Sequence, residues 1–115
     1  KNFLISMKRF SNEDIKNFKR VMISANDFAK INNSKLYFIY LPEFSRYKRF
    51  YFNNSYSEIK NIIKELNITF VDIHSELFKN EKNPLKLFSS TENNSHYNVD
   101  GYKKVSEIIF NNTKN

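Results

Sequence analysis

The sequence has no cysteine. Disulfides, thiolate catalysis and Cys-rich zinc sites are therefore excluded, while every compartment stays open. Glycine occurs once, at Gly101, and proline twice, at Pro42 and Pro84. Nothing in the chain reads as an internal repeat or as a linker that would split it. No apolar run approaches the roughly 18–20 residues that span a bilayer, and no secretory signal stands in these residues. The chain begins at Lys1 rather than Met, which reads as a piece or processed product whose targeting segment would lie upstream.

What is present fits one globular domain, with 115 residues, 40% hydrophobic and 17% aromatic. The net charge of +7 raises an acidic partner such as nucleic acid or an anionic membrane surface. The lysines are spread along the chain, which weighs against it. Heavy use of Lys, Asn, Ile and Phe reads as codon bias of an AT-rich genome. The Asn-x-Ser/Thr triplets at Asn32, Asn53, Asn67, Asn93 and Asn111 follow from that richness, so they are weak indications of glycosylation.

Ser11-Asn12-Glu13-Asp14 predicts a helix start, a capping box with acid in the first turn. Ile15, Phe18, Val21, Met22, Ala25, Phe28 and Ala29 then recur at helical spacing and predict one buried face, ending near Lys30. Phe3-Leu4-Ile5 is apolar but too short to assign. Leu36–Leu41 is a continuous apolar run closed by Pro42. It predicts a strand buried on both faces, as in a parallel sheet covered by helices. A long basic and aromatic loop, 43–55, follows. A second helix is expected over Tyr56–Leu66, capped by Asn54 or Ser55, with Ile59, Ile62, Ile63 and Leu66 inward and Asn67 as its stop.

Ile68–Ile73 predicts a second strand, parallel to the first. A helical turn over Ser75–Lys79, a loop over Asn80–Asn98 and a last helix over Val99–Asn111 complete the chain. Asn98 is a natural cap for that helix, and Tyr102, Val105, Ile108 and Ile109 share one side of it. Two strands buried on both faces would leave unpaired edges, and α/β sheets usually have four or more strands. The expectation is therefore an incomplete α/β domain, completed by further residues or by a partner chain.

The stretch Ser95-His96-Tyr97-Asn98-Val99-Asp100-Gly101-Tyr102 places a histidine on a polar loop just before a helix. It resembles the catalytic-histidine block of the SGNH/GDSL hydrolases, His-x-Asn-x-x-Gly-Tyr followed by an amphipathic helix. Leu36–Glu43 and Ile68–Phe78 resemble the strands and short helix that precede it in that family. The likeness covers roughly Leu36–Phe110, and its last block is the most specific part. It implies the C-terminal half of a three-layer α/β/α sandwich with a parallel sheet of flavodoxin-like topology. It also implies ester chemistry, either hydrolysis or acyl transfer, on a small-molecule or carbohydrate ester. The acyl group would pass through a serine, with His96 as general base and then acid. An imidazole suits that role because its pKa lies near neutrality. No cofactor or metal is implied.

The chain departs from the family pattern twice. No serine stands in a Gly-Asp-Ser setting, so these 115 residues lack the nucleophile and oxyanion blocks. The positions two and three before the histidine, often Asp in the family, are Asn94 and Asn93. Glu92 is the candidate orienter, and otherwise a backbone carbonyl serves a Ser–His dyad. An inactive relative is the reading if neither does. Asn98 and Gly101 are expected to have structural work at the helix start. Tyr97 is a candidate substrate-binding residue or a packing one.

Two other features invite functions. Asp72-x-His74 has only two potential metal ligands where a site needs three or four, and a strand-end Asp more often caps the next turn. Ser45–Phe52 interleaves cations with aromatics. Three readings stay open there: aromatics buried against the sheet, a substrate-facing loop with Arg46 as a contact, or a nucleic-acid surface. A basic binding module without catalysis is the competing function class.

Overall fold

The computed structural model describes residues 10–49, 55–90 and 95–114. The elements are α1 (Asn12–Ile31), β1 (Tyr37–Tyr40), α2 (Tyr56–Glu65), β2 (Thr69–Asp72), α3 (Ile73–Glu76) and α4 (Val99–Thr113). Single 3₁₀ turns lie at Phe44–Tyr47, Phe78–Asn80 and Pro84–Leu87. The strands pair in parallel as a two-stranded sheet. Among the described residues, no helix is long and apolar enough to cross a membrane.

The chain forms two compact units: Lys1–Phe38 with Phe52–Phe70, and Ile39–Tyr51 with Val71–Asn115. In the first, Ser11 caps α1 as its sequence implies. The Ser11 hydroxyl accepts from the Asp14 amide at 3.0 Å, and the Asp14 carboxylate accepts from the Ser11 amide at 2.9 Å. This reciprocal pair satisfies two amides that have no partner within the helix. Ile15, Phe18, Met22, Ala25 and Ala29 form the half-buried stripe of α1. Phe18 meets Phe38 of β1 edge-on at 5.9 Å, and Phe38 stacks on Phe70 of β2 at 5.5 Å.

α2 contributes buried Ile62 and Ile63, and Asn67 ends its C-terminal turn with φ 56°. Asn tolerates that left-handed conformation better than most residues. Ser55 occupies the N-cap position without a side-chain bond. Asn54 and Phe3-Leu4-Ile5 lie outside the described residues.

Two expectations need correction. Val21 and Phe28, placed on the inner face of α1 by their spacing, are 64% and 71% exposed. The helix carries a second apolar stripe, Val21, Phe28 and Ile31, about a third of a turn from the first. Every residue of β1 is only half-buried, because among the described residues the sheet has two strands and each is an edge. The long apolar run marks a strand, but a full covering on both faces needs neighbours that two strands do not supply.

The second unit is built on aromatic packing. Pro42, Phe44, Val71, Ile73, Phe78, Leu87, Phe88 and Val105 are buried. Phe78 and Phe88 pack 5.5 Å apart, and both contact Tyr97, at 5.5 and 5.2 Å. Each such pair contributes about 0.5–1.5 kcal/mol beyond its buried area. The stretch expected to be a loop, 80–98, carries the 3₁₀ turn Pro84–Leu87 and an antiparallel bridge between Phe88 and Tyr97. Of the residues expected on one side of α4, Val105 is buried and Ile108 and Ile109 are half-buried, while Tyr102 stays 55% exposed.

Candidate functional site

The histidine segment is extended and held at each of its residues. The Ser89 amide donates to the His96 carbonyl at 2.7 Å, and the Asn98 amide donates to the Leu87 carbonyl at 2.9 Å. The Tyr97 hydroxyl donates to the Pro42 carbonyl at 2.6 Å, across 55 residues of sequence. Pro42 lies just past the end of β1, so this bond fixes the segment beside the carboxyl end of that strand. Loops outside those ends form the ligand crevice in open α/β sheets.

Asn98 explains why the helix starts where it does. Its Oδ1 accepts from the Gly101 amide at 2.9 Å, which caps α4. Its Nδ2 donates to the carbonyls of Lys86 at 2.7 Å and Phe88 at 3.2 Å. One side chain thus joins the helix terminus to the turn that backs it. Gly101 is buried, and a Cβ there would run into the Leu87 carbonyl oxygen. The sole glycine of the chain stands where backbone meets backbone.

Successive side chains of an extended segment point to opposite faces. Tyr97 points inward, with its ring on Phe78, Phe88 and Tyr102. His96, its neighbour, is exposed. Among the described residues no group is hydrogen-bonded to its ring. An imidazole in that state keeps both nitrogens available for an external partner. Glu92, Asn93 and Asn94 lie outside the described residues, and the orienter question rests there.

The second histidine differs. His74 is half-buried, its Nδ1 shares a 2.8 Å hydrogen bond with the Tyr47 hydroxyl, and its ring stacks on Tyr47 at 5.7 Å. Burial pushes the Tyr47 phenol well above its ordinary value, and nearby Arg46 opposes the shift. The phenol therefore stays protonated and available as a donor. Burial likewise raises Tyr97, helped by Tyr40 and Tyr102. Asp72 caps α3, with Oδ1 accepting from the Ser75 amide at 3.1 Å and Oδ2 from the Ser75 hydroxyl at 2.9 Å. The Asp72-x-His74 pair is thus divided between a cap and a ring partner. No cluster of three or more His, Asp or Glu forms among the described residues.

The basic loop is also partly internal. Phe44 is 2% exposed, and Tyr47 stacks on Phe78 at 4.9 Å. The Arg46 guanidinium lies over the Tyr40 ring at 5.7 Å and donates to its hydroxyl at 3.2 Å. Phe50, Tyr51 and Phe52 lie outside the described residues. The structure thus brings Tyr97, Asn98 and Gly101 together beside His96, and gathers Tyr40, Arg46 and His74 around Tyr47, which shares the Phe78 and Phe88 rings with Tyr97. Sequence reasoning missed the Tyr47–His74 pair and the Tyr97–Pro42 bond. Both partners are far apart in sequence, and no local pattern announces either.

No family model matches this sequence, and no curated protein or solved structure matches it.

Proposed function

We propose that this chain is the C-terminal part of an SGNH-type hydrolase domain acting on ester bonds, with His96 as its general base. The carrying observation is the contrast at residues 96–98: a segment held by the main chain of His96 and Asn98 and by the Tyr97 hydroxyl supports an imidazole open to solvent. A general base needs both, since it must hold position and still reach an external proton. In the proposed reaction a serine outside these 115 residues gives its proton to His96 as its oxygen attacks the ester carbonyl. The alcohol leaves with that proton, and the acyl group rests on the serine. Water, or an acceptor hydroxyl, then gives its proton to His96 and takes the acyl group, and His96 returns that proton to the departing serine oxygen.

In this reading β1 and β2 belong to a larger parallel sheet between two helical layers. Their open edges and the outer apolar stripe of α1 support it, since both gain cover from added elements. Glu92 or a backbone carbonyl orients the imidazole. The competing binding-module reading draws less support. Two aromatics of the loop, Phe44 and Tyr47, face the unit's interior rather than a nucleic-acid strand.

The test is ester hydrolysis by the polypeptide that supplies the serine, with and without His96→Ala. Loss of turnover on the order of 10⁴-fold or more, with the fold retained, supports the proposal. Unchanged turnover sinks it. Glu92→Gln then separates the orienters: a large loss in kcat identifies Glu92, and little change identifies the dyad.

A further inference from the structure

The side chain next to the exposed imidazole is the best-anchored one in its segment. Tyr97 inserts its ring among Phe78, Phe88 and Tyr102 at centroid distances of 5.2–5.5 Å. Its hydroxyl reaches out of that cluster to the Pro42 carbonyl at 2.6 Å. The main-chain bonds at His96 and Asn98 run to Ser89 and Leu87, and locally to the Ser95 hydroxyl and the Tyr102 amide, so they hold the segment to its antiparallel neighbour and to the start of α4. Only the Tyr97 hydroxyl, among the described residues, ties it to the end of β1. A short hydrogen bond to a backbone carbonyl is directional and tolerates little displacement. Because side chains alternate, whatever fixes Tyr97 on one face fixes the origin of the His96 side chain on the other.

We propose that Tyr97 is a positioning residue: its bond to the Pro42 carbonyl holds the His96 backbone at the end of β1. Tyr97 thereby ceases to be a substrate contact and acts through the histidine. The mechanical claim stands on the geometry alone, and its catalytic consequence rests on the hydrolase reading. Asn98 and Gly101 fix the start of α4, while Tyr97 fixes where the segment stands relative to the strand.

Tyr97→Phe removes the hydroxyl and keeps the ring, so it tests the tether with the packing intact. Tyr102→Ala is the control, since it removes an edge contact to the Tyr97 ring and leaves the hydroxyl in place. Backbone amide order parameters of the ¹⁵N-labelled chain are the readout. The expected value at His96 is about 0.85 in the parent chain and below about 0.6 in Tyr97→Phe. Leu87 and Phe88 should keep their order in that variant, and His96 should keep its own in Tyr102→Ala. Unchanged order at His96 in Tyr97→Phe overturns the proposal. So does equal loosening in Tyr102→Ala, which makes general packing the cause.

In the polypeptide that supplies the serine, Tyr97→Phe should lower kcat by as much as about 100-fold with KM unchanged, the cost of a misplaced group. If no ester is hydrolysed at all, the hydrolase reading fails while the order parameters still decide the role of Tyr97.

Discussion

Two histidines stand in one compact unit and live opposite lives. His74 is half-buried, stacked on Tyr47 and hydrogen-bonded through Nδ1. His96 is exposed, and its surroundings grip its backbone instead of its ring. The difference teaches where the structure invests its constraints. At residue 74 they fall on the imidazole, which is what a packing side chain needs. At residue 96 they fall on the main chain and leave the imidazole for something external. Neither residue type nor exposure alone makes a candidate base; the combination of fixed origin and open ring does.

The contrast breaks most visibly by exchanging the two residues' fates. His96→Ala should cost turnover on the order of 10⁴-fold or more in the serine-supplying polypeptide. Its stability should change by no more than about 0.5 kcal/mol, as for other surface positions. His74→Ala should do the reverse. It leaves the half-buried Tyr47 hydroxyl without that partner and lowers stability by about 1–3 kcal/mol in urea unfolding, with turnover per folded molecule near the parent value. Equal effects from both variants would erase the distinction.

The grip on the His96 segment can be loosened in steps. Gly101→Ala forces a methyl group onto the Leu87 carbonyl, and overpacking of that kind costs about 1–3 kcal/mol. Asn98→Ala removes the cap of α4 and should lower the urea midpoint by an amount worth about 0.5–2 kcal/mol. Asn98→Asp keeps the acceptor for the Gly101 amide but loses both donor bonds, to Lys86 and Phe88. It separates the cap from the brace: stability near that of Asn98→Ala would show that the brace matters more.

The smallest effect is on alkaline stability. Tyr47 and Tyr97 both have folded-state pKa values raised by burial above the ordinary tyrosine value. Below about pH 10 both states keep the phenol protonated, and stability does not depend on it. Above about pH 10 the unfolded chain releases those protons and the folded chain holds them, so stability should fall as pH rises. The Tyr97→Phe and Tyr47→Phe variants should each flatten that fall, read as urea midpoints from about pH 9 to about pH 11.

Much of the fold was legible where the signal is local. The Ser11–Asp14 box, the Asn98 cap, the Asn67 stop and the packing need of Gly101 all follow from residues a few positions apart. The parallel pairing of the strands followed from their strand–helix–strand order. Burial was less legible. Val21 and Phe28 carry helical spacing, but spacing says only that a face is apolar, not that a layer stands ready to cover it. Residues 80–90 and 95–98 looked irregular because their order comes from pairing Phe88 with Tyr97 and from side-chain bonds to carbonyls. At the site, the helix start that follows His96 was readable from Asn98. The Tyr97 tether was not, because Pro42 and Tyr97 are 55 residues apart and the contact exists only once the unit has folded.

The most direct measurement is covalent labelling of the serine-supplying polypeptide with a fluorophosphonate, which reacts with a serine oxygen deprotonated by a neighbouring base. The expected result is one labelled serine in the parent and in His74→Gln, and no label in His96→Ala. Labelling of His96→Ala at the parent rate would contradict the assignment of residue 96 as that base.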